Sequence, residues 1–211
     1  MFIQQCGLCG CPSTARLCAQ CAALLPALGP ACARCAIPTP VAVEACGACQ
    51  RQPPAFDAAL AALRYEAPVD ALLQGFKFNG RLALGVVAAE LLARICSPRA
   101  VDALIPIPLH RSRLRERGFN QTLLLARQVA QGGPILQFLQ RQRATAAQSG
   151  LDGDERRRNV RGAFRVQGDL PPRVALIDDV MTTGATLAEA AKVCKKAGAV
   201  WVEVWVVARR P

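Results

Sequence analysis

Four Cys-x-x-Cys pairs crowd the first 49 residues of this 211-residue chain, and no other feature restricts its folding as strongly. The pairs are Cys6/Cys9, Cys18/Cys21, Cys32/Cys35 and Cys46/Cys49, separated by 8, 10 and 10 residues. Two residues between thiols form a knuckle that aims both sulfurs at one ion, and two knuckles complete a closed tetrahedral zinc site. A disulfide framework is opposed by the odd total of 11 cysteines and by the lack of an export-type apolar run after Met1. Short separations favour sequential pairing over a cross-braced arrangement. Cys6, Cys9, Cys18 and Cys21 are therefore expected to hold a first structural zinc, and Cys32, Cys35, Cys46 and Cys49 a second, giving one or two ions. A closed four-thiolate site leaves no open position for water, so it points to structure and not to catalysis. Cys11 is left over as a small turn residue. With few residues for a core of its own, the segment needs metal to fold.

The other two cysteines, Cys96 and Cys194, sit alone in apolar helical patterns, so the composition changes near residue 50. The Gln50-Arg51-Gln52-Pro53-Pro54 run reads as a hinge, dividing a zinc-ribbon domain over 1–52, double if both ions bind, from a larger domain over 53–211. Leu24 to Pro30 reads as a short helical linker between the ribbons.

Helix and strand signals alternate in the larger domain, beginning with Asp57 to Tyr65 and an Asp70–Gln74 segment with helical spacing. Leu84, Val87, Ala88, Leu91, Leu92 and Ile95 recur at three and four residues, predicting a helix over Leu82–Cys96 that Ser97-Pro98 ends. Val101–Ile107 reads as a strand, followed by a basic loop and a helix over Gln121–Ala130. Arg173–Ile177 and Val200–Val207 read as buried strands on either side of a helix over Thr186–Ala197, the βαβ unit of a parallel sheet. Trp201, Glu203 and Trp205 share one face of the last strand by its period of two. Packing of the two indoles against a helix is the favoured use, with base stacking the alternative.

The strongest chemical motif spans that unit: Asp178, Asp179, Val180, Met181, Thr182, Thr183, Gly184, Ala185 and Thr186 follow the apolar Ala175-Leu176-Ile177. Ligands of open α/β sheets bind at the carboxyl ends of the strands. A small, hydroxyl-rich loop opening a helix can wrap a phosphate in its backbone amides, aided by the helix dipole. Adjacent carboxylates repel phosphate, so they suit sugar hydroxyls and a bridging magnesium. A phosphorylated ribose meets both demands.

The motif resembles the signature of type I phosphoribosyltransferases: an apolar strand, two acidic residues, two apolar residues and Thr-Thr-Gly-x-Thr. With the cysteine pairs, Pro106-Ile107-Pro108-Leu109, the run to Arg117-Gly118-Phe119-Asn120-Gln121 and Arg156–Phe164, nearly the whole chain resembles the competence protein F (ComF) family. The resemblance implies an α/β fold, a type I phosphoribosyltransferase-like parallel sheet flanked by helices and preceded by a small cysteine-rich zinc-ribbon head. It also implies a role in handling imported DNA during natural transformation. Phosphoribosyl pyrophosphate (PRPP) with Mg2+ is the implied ligand, held by Asp178 to Thr186. The activity so implied is that of a pentosyl-transferring glycosyltransferase acting on an unidentified nitrogen acceptor.

The net charge is +11, and 12 arginines against four acids between Arg111 and Arg165 supply +8 of it. Such a field favours anionic partners. By resemblance, His110 to Asn120 contacts pyrophosphate and Arg143 to Arg161 forms a mobile hood. Arg111 and Arg113 are assigned catalytic roles beside Asp178 and Asp179, stabilising the leaving group. The competing reading is a non-catalytic adaptor that holds single-stranded DNA, contacts DNA-uptake or recombination proteins, and takes PRPP as ligand or regulator. No membrane span is expected, the expected location is the cytoplasm, and the oligomeric state is not legible. His110, the single histidine, reads either as a structural or loop residue or as a general base or phosphate contact, and it is not assigned to the site.

Overall fold

A computed structural model describes residues 3–78, 80–96, 100–143 and 153–211. Each half of the cysteine-rich segment folds as the same small unit. The first contains strands β1 (Gln4–Gln5) and β2 (Pro12–Ser13) and helix α1 (Ala19–Ala23); the second ends in helix α2 (Gly47–Arg51). Equivalent backbone bonds recur in both: the Cys6 amide donates to the Cys11 carbonyl at 2.8 Å and that of Cys32 to Ile37 at 3.0 Å. The knuckle turns close from Gly10 to Cys6 at 3.0 Å and from Ala36 to Cys32 at 2.8 Å. Gly10 has φ +77°, which glycine adopts freely, whereas Ala36 holds φ +54°. The second knuckle therefore carries strain that the first avoids.

The segment between the units is not the helical linker expected. After Leu24 closes α1, Pro26 to Leu28 runs along strand β3 (Ala58–Arg64), with Ala27 bridging Leu63 and the Arg64 amide donating to Pro26 at 2.9 Å. Pro26 and Pro30 lack the amides a helix needs, and the β3 edge supplies alternative partners. Ala59 further donates to the Ala33 carbonyl of the second unit at 3.0 Å.

After β3 the chain forms helices α3 (Val69–Phe78) and α4 (Leu82–Cys96), strand β4 (Ala103–Pro106), and helices α5 (Arg111–Arg117) and α6 (Gln121–Val129). Strand β5 (Leu139–Arg141), helix α7 (Gly153–Val160), strand β6 (Phe164–Val166), strand β7 (Arg173–Met181), helix α8 (Ala185–Lys196) and strand β8 (Trp201–Arg209) complete the chain. The central sheet is parallel throughout, in the order β3-β8-β7-β4. Its inner strands are covered on both faces, which explains their unbroken apolar composition. Ala175, Ile177, Trp205 and Val207 face α3, α4 and α6, while Val174, Leu176, Val202, Val204 and Val206 face α8 and the β5–β6 hairpin.

Trp201, Glu203 and Trp205 do share a face, but packing is only part of their role. Both indoles donate to the buried Glu203 carboxylate, at 3.1 and 2.8 Å. The basic loop expected after β4 is the helix α5. His110 caps its start, with Nδ1 accepting from the Ser112 amide at 3.3 Å, and Gly118 closes it with φ +80°. The first acidic-motif strand runs four residues further than expected, so Asp178 to Met181 belong to β7 itself. Ser97-Pro98 and Ala144 to Asp152, the latter forming about the first half of the expected hood, lie outside the described residues. Among the described residues, no helix is long and apolar enough to cross a membrane.

Candidate functional site

Within each cysteine quartet, Cys6/Cys9/Cys18/Cys21 and Cys32/Cys35/Cys46/Cys49, the sulfurs lie within 4.8 Å of one another. Sequential pairing is the arrangement the chain adopts, and either quartet could hold a structural zinc. The amide of Cys18 donates to Cys6 Sγ at 3.3 Å, and the amide of Cys46 to Cys32 Sγ at 3.2 Å. Burial would raise the Cys6 thiol, yet amides of Cys18, Cys9 and Leu8 bring it down to about 6. Cys21 is pushed up to about 12 by its sulfur neighbour Cys9 and by burial. The second quartet divides similarly: against burial, Cys46 is lowered to about 7 by hydrogen bonds from Cys49, while burial raises Cys35 and Cys49. Four crowded sulfurs cannot all ionise unaided, and a divalent cation is what lets them do so.

The acidic motif faces a cavity of about 990 Å3 at the carboxyl end of the sheet. Asp178, Asp179, Val180, Thr182 and Thr186 line it. Met181 is buried beneath, Thr183 is exposed and accepts from the Ala185 amide at 3.4 Å, and Gly184, φ +75°, starts α8 without a side-chain cap. The start of this 12-residue helix thus lies beside the cavity, with the Ala185 amide turned to Thr183 and no cap from Gly184 itself. Asp179 is buried and pairs with Lys77 Nζ at 2.6 Å. Asp178 is pushed up to about 8 by burial and by the Asp179 carboxylate beside it. The two aspartates are therefore unlike: Asp179 is ion-paired with lysine, and Asp178 beside it keeps its proton near neutrality.

Of the two arginines assigned from sequence, Arg113 lines the cavity, whereas Arg111 is exposed and does not. Helix α5 explains the difference, since positions two apart point to nearly opposite sides. Arg113 and Arg117 face the cavity while Arg111 and Arg115 face solvent. Sequence reasoning did not single out Lys77, Arg141 or Arg210 of the wall, whereas Arg117 lies within the 110–120 segment expected to contact pyrophosphate. Lys77 carried one faint signal, as one of only four lysines in the chain, set between Phe76 and Phe78. Burial works against its charge, but Asp179 and Asp178 more than compensate and raise its pKa. Arg117 stacks on Phe78 at 4.9 Å and donates to Gln121 at 2.6 Å, which fixes its head at the cavity wall. The arrangement combines a helix start, hydroxyls and cations with a carboxylate pair, which is a place for a ligand with both phosphate and hydroxyl groups.

No family model matches the chain. Competence protein F of Haemophilus influenzae is 34% identical over 173 residues, covering 75% of this chain and 76% of that protein. DNA utilization protein YhgH of Escherichia coli O157:H7 is 32% identical over 176 residues, 75% of each chain. Competence protein ComFC of Streptococcus pneumoniae is 31% identical over 150 residues, covering 71% of this chain and 67% of that protein.

Proposed function

The chain belongs to the competence protein F (ComF) family, and on that premise we propose that it binds PRPP with Mg2+ and transfers phosphoribosyl groups in the handling of DNA during competence. The names of its relatives, competence protein and DNA utilization protein, support the physiological part. The observation that carries the chemical part is the shared cavity: the Asp178 to Thr186 motif opens onto the same space as Lys77, Arg113, Arg117, Arg141 and Arg210.

In this reading the amides and hydroxyls from Thr182 to Thr186 hold the 5′-phosphate, and Asp178 and Asp179 accept hydrogen bonds from the ribose hydroxyls. Arg113, Arg117 and Arg141 receive the pyrophosphate. The bond from C1 of the ribose to pyrophosphate breaks with its electron pair leaving on oxygen, and the acceptor nitrogen bonds to C1 and gives up its proton. Negative charge grows on the leaving group as it departs, where these guanidinium groups are already placed. The oxygen-rich pair Asp178/Asp179 fits Mg2+, which when bound would neutralise pyrophosphate oxygens. The test is calorimetric titration with PRPP and Mg2+, followed by a screen of nucleobases and amines for pyrophosphate release. Binding that is abolished in Thr182→Val/Thr186→Val supports the ligand; no heat at millimolar PRPP overturns it.

A second reading is favoured by one observation. Arg111 and Arg115 leave α5 on the side away from the cavity, and Arg127 and Arg161 are also exposed. These groups are free to contact the phosphates of single-stranded DNA while PRPP occupies the cavity, which makes an adaptor role compatible with ligand binding. Salt-sensitive oligonucleotide affinity without pyrophosphate release would select the adaptor over the enzyme.

A further inference from the structure

Arg209 ends β8 and is buried, although the proposed chemistry gives it no task. Its Nε donates to the Cys35 carbonyl at 3.0 Å, and its Nη1 donates to the Met181 carbonyl at 3.1 Å and to those of Thr182 and Arg210. Cys35 belongs to the second cysteine quartet, and Met181 and Thr182 form the passage from β7 into the anion-binding loop. One side chain therefore joins a metal-binding turn to a ligand-binding loop. Four thiolates around a divalent ion sum to a charge of −2, and the guanidinium is the cation set against it. Second-shell donors of this kind orient the ligands they touch.

We propose that Arg209 is a positioning residue through which metal at Cys32, Cys35, Cys46 and Cys49 sets the shape of the Thr182–Thr186 loop. With the ion in place, the turn carrying Cys35 is cross-linked and its carbonyl is fixed. The guanidinium is then held in one register, and it holds the Met181 and Thr182 carbonyls so that the following amides open toward the cavity. Without the ion that turn loses its cross-link, in the unit whose knuckle already carries the left-handed Ala36. The first quartet is wired elsewhere: Arg81 donates to the Gly7 carbonyl, and Arg16 pairs with Glu90 of α4 at 3.1 Å. The second quartet is thus the regulatory one, and the first anchors the head to α4.

The proposal takes its functional meaning from the loop as a PRPP site, but the link itself is measured without PRPP. Two amides report on it: Arg210 donates to the Met181 carbonyl at 3.0 Å, and Ala188 to that of Gly184 at 2.8 Å. Zinc content and hydrogen exchange are measured on the full chain for wild type, Cys46→Ser, Cys9→Ser, Arg209→Met and Arg209→Lys. Cys46 is chosen because it ligates without touching Arg209. Cys46→Ser should lose one zinc, Arg209→Met none, and both should exchange at these amides about tenfold faster or more, the scale of losing a charged hydrogen bond. Cys9→Ser should lose one zinc and leave the reporters unchanged, and Arg209→Lys should fall between. Unchanged exchange in Arg209→Met, or in Cys46→Ser that has lost its zinc, overturns the link. If Cys46→Ser fails to fold by circular dichroism, the Arg209→Met result decides. PRPP titration of the same proteins separates the two ideas: no binding by wild type ends the PRPP reading alone, while the exchange data still judge the link.

Discussion

Replacing Asp178 with asparagine should stabilise the protein above neutral pH and abolish its ligand binding, because the native carboxyl is held where it resists ionisation. Burial and the Asp179 carboxylate push Asp178 up to about 8 from an ordinary 3.8. The folded state therefore binds more protons than the unfolded chain between these values. Stability from this group is fully present below pH 4 or so and is lost as pH rises toward 8, at about 1.4 kcal/mol per unit for one proton. Asp178 is half-buried, so water recovers part of that penalty, and a net effect of about 2 kcal/mol at pH 8 is the reasonable scale. For a chain of this size that corresponds to roughly 4–8 °C in Tm. The asparagine would mimic the protonated acid in shape without its titration. Thermal melts of wild type and Asp178→Asn from pH 4.5 to pH 8.5 should coincide at the acid end and separate at the alkaline end, the variant melting higher. PRPP binding should fail throughout. Parallel curves, or a variant less stable at pH 8, would refute the reasoning. Asp179→Asn provides the contrast, since it removes the partner of the buried Lys77 and should destabilise.

Lys77→Met should lower PRPP affinity by about tenfold in calorimetry, since it removes the ion-pair partner of Asp179 and leaves that buried carboxylate without it. Each quartet should hold one zinc, so Cys18→Ser and Cys46→Ser should each lose one ion by metal analysis; loss of both from one substitution would mean that the two sites do not fold independently. Gly85→Ala places a Cβ 2.3 Å from Phe76 Cε2, and Phe76 is fully buried, so overpacking should cost about 1–3 kcal/mol in a thermal melt. The double substitution Arg111→Gln/Arg115→Gln should weaken binding of labelled single-stranded DNA and flatten its salt dependence by a slope of about 1–2, while PRPP affinity stays at the wild-type value.

What could be read in advance was whatever the chain writes in consecutive residues. The cysteine spacings specified two quartets, and the Asp178 to Thr186 run specified a strand, a tight loop and a helix start, because neighbours in sequence determine those features. Helix α4 was legible from Leu82 to Cys96 because its apolar face repeats at helical spacing. Helix α5 was not, because Arg111 to Arg117 offers no apolar stripe. Its only signals are the caps, His110 before it and Gly118 after it, and a histidine cap is an uncommon device.

The groups that complete the site were illegible for a different reason. Lys77 reaches Asp179 across about a hundred residues of sequence, and Arg209 reaches Cys35 across 174. Neither has a local pattern, since a buried cation is recognised only by the partner that tertiary folding supplies. Both also change the meaning of the local motifs. The acidic pair, equivalent in sequence, becomes two different groups once Lys77 chooses Asp179. The cysteine segment, which sequence reading separates at residue 52, adds backbone to the edge of β3 and lends a carbonyl to the clamp on the loop. A metal site that composition assigns to structure alone is therefore in mechanical contact with the residues that would hold the ligand, and its removal cannot be neutral for binding unless the Arg209 contacts are dispensable.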